Sequence, residues 1–258
     1  MKKTLIEKTA DKLVNAFVNN KIIAPLPTKF TKILSEAEKL RKLCESKIKD
    51  PIIGFKAGGT GFPVMKKLKE KKPFYAAIFK KNFIKSGKKI KINKSTLGIE
   101  LEVCYLIKKN FFLSKESITI KNVTKHISHM APCIEVIGYR QNKKDITSFG
   151  DLCSDFGGNV KFLIGQKKKY KRINIGNLKT NITNKKIGQS VDGNTNTVYI
   201  NPLNSLKFVL NELKKDKVSL DKDFYVFTGS TVGVVPILGK GLYTGKVAQL
   251  GSVKTIIH

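Results

Sequence analysis

The chain has 258 residues, 41% of them hydrophobic, with fifteen Phe and seven Tyr. That composition supports a packed core and excludes a disordered chain, and no apolar run approaches the roughly 18 residues that a membrane helix needs. The formal charge is +31, yet only Arg41, Arg140 and Arg172 among the fifty basic residues are arginine. Arginine is the side chain suited to bidentate phosphate and base recognition. The charge therefore reads as a basic solvent-facing surface rather than a specific nucleic-acid or anionic-membrane binder. Such a field still attracts a small anionic substrate.

The opening Met1-Lys2-Lys3 leads into Thr4-Leu5-Ile6-Glu7-Lys8 without an apolar h-region, so no signal peptide is expected. Ile6, Ala10, Leu13 and Phe17 recur at helical spacing and predict an amphipathic helix, ended by Pro25 and Pro27. Ser35 and Glu38 read as a capping box for a second helix, with Ala37, Leu40 and Cys44 inward and Asp50-Pro51 closing it. Beyond it the texture changes to short β-branched and aromatic runs. Strands are predicted at 52–57, 100–107, 133–139, 160–165, 171–183, 224–228, 243–248 and 252–257. Lys167 to Arg172 reads as a solvated hairpin loop, and Leu203 to Leu213, after Asn201-Pro202, as a further helix. No repeat or linker divides the chain. A single domain over 1–258 is expected, with a helical section 1–50 packed on a β-rich body 51–258. Cys44, Cys104, Cys133 and Cys153 form no CxxC pair and suit buried free thiols in a reducing, cytoplasmic compartment.

Acidic residues are scarce, which makes their placement informative. Glu100 and Glu102 interrupt an apolar strand and share one face at period two; Glu135 sits in a similar setting in Cys133-Ile134-Glu135-Val136-Ile137. Carboxylates crowded on a half-buried face need a cation or protons, and an all-oxygen set without His or Cys suits Mg²⁺ or Mn²⁺ rather than zinc. The alternative is a solvent face on which the glutamates pair with lysines. His126 and His129 form an HxxH without the adjacent glutamate and read as surface helix residues. Gly239, Gly241 and Gly245 are spaced too widely for a dinucleotide fingerprint, no P-loop occurs, and Thr228-Gly229-Ser230 lacks the context of a nucleophile elbow. Lys56, in Gly54-Phe55-Lys56-Ala57-Gly58-Gly59-Thr60-Gly61, stands where glycines let backbone approach a ligand.

In order, these motifs resemble the hydratase/decarboxylase branch of the fumarylacetoacetate hydrolase superfamily over nearly the whole chain. Ile23-Ala24-Pro25-Leu26 and the helix from Ser35 resemble its N-terminal section. Gly54-Phe55-Lys56-Ala57-Gly58 resembles its G-x-K-x-G segment, and Glu100-Leu101-Glu102 its E-x-E metal pair. Ala131-Pro132-Cys133-Ile134-Glu135-Val136 resembles the segment with the third ligand. Thr228-Gly229-Ser230 and Leu250-Gly251-Ser252-Val253 resemble its C-terminal TG and GSV elements.

The resemblance implies an α+β fold, a mixed β-sandwich roll with an N-terminal helical section. It also implies Mg²⁺ or Mn²⁺ on Glu100, Glu102 and Glu135, chelated by a small 2-oxo or 2-hydroxy-dienoic acid. Lys56 and Asp155 would be catalytic or orienting groups, and Arg140, Gly229 and Ser230 substrate-binding ones. The implied activity is hydration of a 2-hydroxypenta-2,4-dienoate-like acid, with decarboxylation of a 4-oxalocrotonate type or hydrolysis as alternatives, by a homo-oligomer. The non-enzyme alternative is a basic binding protein on a retired enzyme fold. Two departures stand out. Phe74 follows Pro73 where an acidic residue is usual, and Gly158 stands where a serine is usual in Asp155-Phe156-Gly157-Gly158. Both remove groups that would activate water.

Overall fold

In the computed structural model, residues 3–93, 95–143 and 146–258 are described; Met1 and Lys2 of the opening stretch lie outside them. Helix α1 (Leu5–Asn19) starts with a capping box: the Thr4 hydroxyl accepts from the Glu7 N–H, and Glu7 accepts from the Thr4 N–H at 2.7 Å. Ala10, Leu13 and Phe17 face inward as the spacing predicts. Asn20, left-handed at φ 51°, ends the helix before either proline is reached. A single turn, α2 (Lys29–Lys32), buries Phe30 and leads straight into α3 (Leu34–Lys47). The expected Ser35/Glu38 capping box is absent. Docking of Phe30 starts the helix at Leu34 with Ile33 as N-cap, which leaves Ser35 inside the first turn. Ala37, Leu40 and Cys44 are buried as predicted.

The chain then runs β1 (Ile52–Gly58), α4 (Phe62–Lys67), β2 (Phe74–Phe79), β3 (Phe83–Lys85), β4 (Lys89–Ile90), β5 (Thr96–Ile107) and β6 (Ile127–Gly138). It continues through α5 (Phe149–Ser154), β7 (Asn159–Ile164), β8 (Lys168–Lys169), β9 (Lys179–Asn184) and β10 (Gln189–Asn194). Last come α6 (Pro202–Lys215), β11 (Phe224–Ser230), β12 (Gly241–Val247) and β13 (Gly251–Ile257). The strand expected over 171–183 is confined to its end, because Asn174, Gly176 and Asn177 turn the chain on itself. The basic run is exposed as expected, though Lys168 and Lys169 pair briefly with β6.

The larger sheet has the order β2-β1-β11-β5-β6-β7-β3, with β8 beside β6; the smaller is β10-β9-β12-β13-β4. The larger sheet curls on itself. Phe162 of β7 and Phe227 of β11 meet at 4.9 Å between ring centroids, although β5 and β6 lie between their strands. Phe83 of β3 stacks on Tyr225 of β11 at 5.7 Å. Strand alternation divides the two faces. On β5, Ile99, Leu101, Val103, Tyr105 and Ile107 join the main core with α1, α6 and the smaller sheet. Cys104 joins Ile78, Ala131, Cys133, Phe162, Ile164 and Phe227 inside the roll. The smaller sheet lies so close to β5 that a Cβ on Gly245 would sit 2.6 Å from Leu101 Cδ1. All four cysteines are free and buried. Among the described residues, no helix is long and apolar enough to cross a membrane.

Candidate metal centre

Because side chains alternate, Glu100 and Glu102 share the inward face of β5 with Cys104. Antiparallel β6 places Glu135 directly opposite Glu100, and Cys133 opposite Glu102. One oxygen of each carboxylate lies within 4.8 Å of the others. Glu102 and Glu135 are fully buried and Glu100 half-buried, which removes the solvent-face alternative. Glu102 Oε2 accepts the Gly229 N–H at 2.7 Å, and Glu135 Oε1 accepts Lys56 Nζ at 2.6 Å. Among the described residues, Glu102 Oε1 and Glu135 Oε2 have no hydrogen-bond partner. Each such orphan costs about 1–3 kcal/mol, more when charged.

Lys56 stands on β1, and β11 and β5 separate its strand from β6. It reaches Glu135 only because the sheet is rolled. Its Nζ also donates to Gly157 O at 2.8 Å. Burial, compounded by Glu135, pushes Glu100 up to about 7 against the pull of Lys56. Burial, with Glu135 and Glu100 adding to it, drives Glu102 well above the usual carboxylate range. Burial raises Glu135 too, despite Lys56 beside it. Burial works against the Lys56 ammonium, but the three carboxylates outweigh it and its pKa is raised. Without a cation, protons must sit on this cluster. Three carboxylates against one ammonium leave two negative charges, and the two orphaned oxygens are hard donors. The residues therefore fit a divalent ion of the Mg²⁺ or Mn²⁺ type.

The remaining predicted residues divide. Gly229 spends its N–H on Glu102, so it orders a carboxylate instead of offering that donor to a substrate. Its φ of 103° and a Thr60 Oγ1 that would lie 1.9 Å from an added Cβ make glycine obligatory there. Ser230 is paired in register with Glu102, but its hydroxyl donates to Gly233 O at 2.8 Å and so closes its own turn. Asp155 and Arg140 form a buried ion pair at 2.8 Å, and the second Asp155 oxygen accepts the Arg140 N–H at 2.7 Å. Neither joins the glutamate cluster directly. Together they fix the turn that carries Gly157 O to Lys56. His129 lies on β6, and His126 ends a 3₁₀ turn with its ring 5.3 Å from Phe111; neither is on a surface helix.

Phe74 is fully buried, edge-to-face with Phe149 at 5.3 Å. Its ring fills the space beside Gly58 and Gly157, next to Lys56. At Gly158 an added Cβ would point at Gly138 O and Tyr139, whereas at Gly157 it would meet Lys56 Cε at 3.1 Å. Position 157, rather than 158, therefore faces the lysine. Sequence reasoning did not single out Gly157 O, Thr60 or Phe149. The first is a backbone atom and leaves no signature; the others stand among ordinary polar and apolar neighbours.

No protein-family model matches the chain. The TodF product hydratase of Pseudomonas putida (strain F1) is 22% identical over 204 residues, covering 78% of this chain and 75% of that protein. Among solved structures, 4-oxalocrotonate decarboxylase from Pseudomonas putida G7, complexed with magnesium and adipate, superposes with a TM-score of 0.87 at 20% identity. That match covers 100% of this chain and 99% of the other. Fumarylpyruvate hydrolase from Pseudomonas aeruginosa, in complex with Mn²⁺ and pyruvate, gives a TM-score of 0.59 at 12% identity over 82% of this chain and 91% of that one. The fold is the α+β roll that these solved structures share. Within it, the chain follows 4-oxalocrotonate decarboxylase from end to end, helical section included.

Proposed function

We propose that this chain is a divalent-metal-dependent lyase, a hydratase acting on 2-hydroxypenta-2,4-dienoate-like acids, with residues 1–258 as one catalytic domain. The observation that carries this reading is the buried triad Glu100, Glu102 and Glu135, with two orphaned oxygens and Lys56 beside it. These glutamates would hold Mg²⁺ or Mn²⁺. When bound, such an ion supplies Lewis-acid polarisation of a 2-oxo or 2-enol oxygen and a template for the adjacent carboxylate. Lys56 Nζ gives two of its protons to Glu135 and Gly157 O, which leaves its third N–H for the substrate oxygen or for proton transfer at C3. The Asp155–Arg140 pair fixes that arrangement from behind. Phe74 and Phe149 exclude water from the side of Lys56 they cover.

Decarboxylation of a vinylogous oxo-dioate is the second reading. It is favoured by Phe74, since it needs the same enolate stabilisation but no added water. The two separate by substrate: with Mg²⁺, loss of the ultraviolet absorbance of 2-hydroxypenta-2,4-dienoate supports hydration, and CO₂ release from 4-oxalocrotonate supports decarboxylation. Failure of both with metal-loaded protein would favour the basic binding protein on a retired fold. The four free buried thiols fit a cytoplasmic setting. Exposed Val234 and Leu238, on the segment after β11, fit a homo-oligomer, which light scattering tests. No specific nucleic-acid partner is proposed.

A further inference from the structure

We propose that Thr60 is a substrate-binding residue of the glutamate centre, its hydroxyl donating a hydrogen bond to the carboxylate of the acid held there. The inference rests on the metal-dependent reading of that centre. It supplies the carboxylate donor that Gly229 and Ser230, the residues expected from the sequence, do not.

The segment 228–231, which runs beside Glu102, has no side-chain donor to spare. Thr228 Oγ1 donates to Val103 O at 2.8 Å, Ser230 Oγ to Gly233 O at 2.8 Å, and Thr231 Oγ1 to Leu101 O at 2.8 Å. All three hydroxyls fasten β11 and the turn after it. The Gly229 N–H is taken by Glu102 Oε2. A carboxylate arriving at the centre therefore needs a donor from another segment.

Thr60 meets that need. The residue is 4% exposed, yet its hydroxyl makes no hydrogen bond among the described residues. Hydroxyls so placed are normally satisfied by protein, water or ligand. Its backbone is fixed, because Thr60 O accepts the Tyr199 N–H at 3.0 Å and Gly61 pairs with Val198. An added Cβ on Gly229 would fall 1.9 Å from Thr60 Oγ1. The hydroxyl thus rests on the residue whose N–H holds Glu102, whereas Lys56, four residues earlier, bonds Glu135. The two donors stand beside different glutamates of one centre. With the Lys56 ammonium serving the 2-oxygen of a 2-oxo acid, the Thr60 hydroxyl serves its carboxylate, as a charge-assisted O–H donor.

The test compares the full-length wild type with Thr60→Ala and Thr60→Ser. Calorimetry measures Mg²⁺ binding; calorimetry and the methyl line width of pyruvate measure pyruvate binding at saturating Mg²⁺. Thr60→Ala should bind Mg²⁺ as the wild type does but hold pyruvate about tenfold to a hundredfold more weakly, the range for a hydrogen bond to a charged group. Thr60→Ser keeps the hydroxyl and should restore most of that affinity. Both variants lose the same methyl group, so they should unfold at the same urea concentration. Unchanged pyruvate affinity in Thr60→Ala would overturn the proposal. Weakened Mg²⁺ binding in Thr60→Ala would overturn it too, by showing that Thr60 acts on Glu102 through Gly229. Earlier unfolding of Thr60→Ala than of Thr60→Ser would assign the hydroxyl to the fold, with the same result. A wild type that binds neither Mg²⁺ nor pyruvate would overturn the reading of the centre itself, and this inference with it.

Discussion

Replacing Glu135 with Gln tests the centre at its most constrained position. The substitution keeps shape and removes one negative charge that faces Lys56 at 2.6 Å and stands opposite Glu100. Two effects then oppose each other in the metal-free protein. Breaking a buried ion pair costs about 3–5 kcal/mol, while relief of carboxylate crowding offsets much of that. Metal-free stability should therefore change little. Metal binding has no such compensation: loss of one of three charged ligands should weaken Mg²⁺ by at least about 1,000-fold, or ~4 kcal/mol. At Mg²⁺ one hundredfold above its Kd, the wild type should gain about 2.7 kcal/mol. For a chain of this size that raises Tm by roughly 5–10 °C. Calorimetry with Mg²⁺ and thermal melts with and without it, on both proteins, are the assay. A Glu135→Gln protein with an intact Mg²⁺ response, or a wild type with none, would refute the assignment of the centre.

Other outcomes follow from the same geometry. Folding raises the carboxyl pKa values in the centre, with Glu100 at about 7, so the native metal-free state holds protons that the unfolded chain has released. Its stability should fall as pH rises from about 5 to 8, while the stabilisation by Mg²⁺ grows over the same window; melts across that range check the sign. Lys56→Ala should retain Mg²⁺ binding but lose on the order of 100-fold in deuterium exchange at C3 of a 2-oxo-acid analogue, followed by NMR in D₂O. Gly229→Ala should destabilise by roughly 1–3 kcal/mol in urea unfolding and weaken Mg²⁺, because it strains a φ of 103° and disturbs the N–H that orders Glu102.

Elements with a single strong period were legible in the sequence. Ala10, Leu13 and Phe17 mark α1, and the alternation around Glu100 and Glu102 marks β5. β2 was not: Phe74-Tyr75-Ala76-Ala77-Ile78-Phe79 is buried on both faces and shows no period. β10, Gln189–Asn194, has the composition of a loop and is held as a strand by pairing with β9. The glutamates and Lys56 could be read because charge in an apolar strand is conspicuous. The tasks of Gly229 and Ser230 could not, since what a backbone N–H or a turn hydroxyl bonds to depends on strands remote in sequence.

The position of β11 has a consequence for how the chain matures. Among the described strands, β1 and β5 are joined through β11, and Glu102 waits for the Gly229 N–H that β11 carries. A nascent chain that has not yet delivered residues 224–230 can already set Glu135 opposite Glu100 across the β5–β6 pair, but it lacks the strand that links β1, with Lys56, to β5. Such long-range pairing forms late, because its loop-closure entropy must be overcome before contacts reward it. A divalent ion held by the proposed centre would then find its full surroundings only after the last central strand has entered, and would slow unfolding much as a latch does.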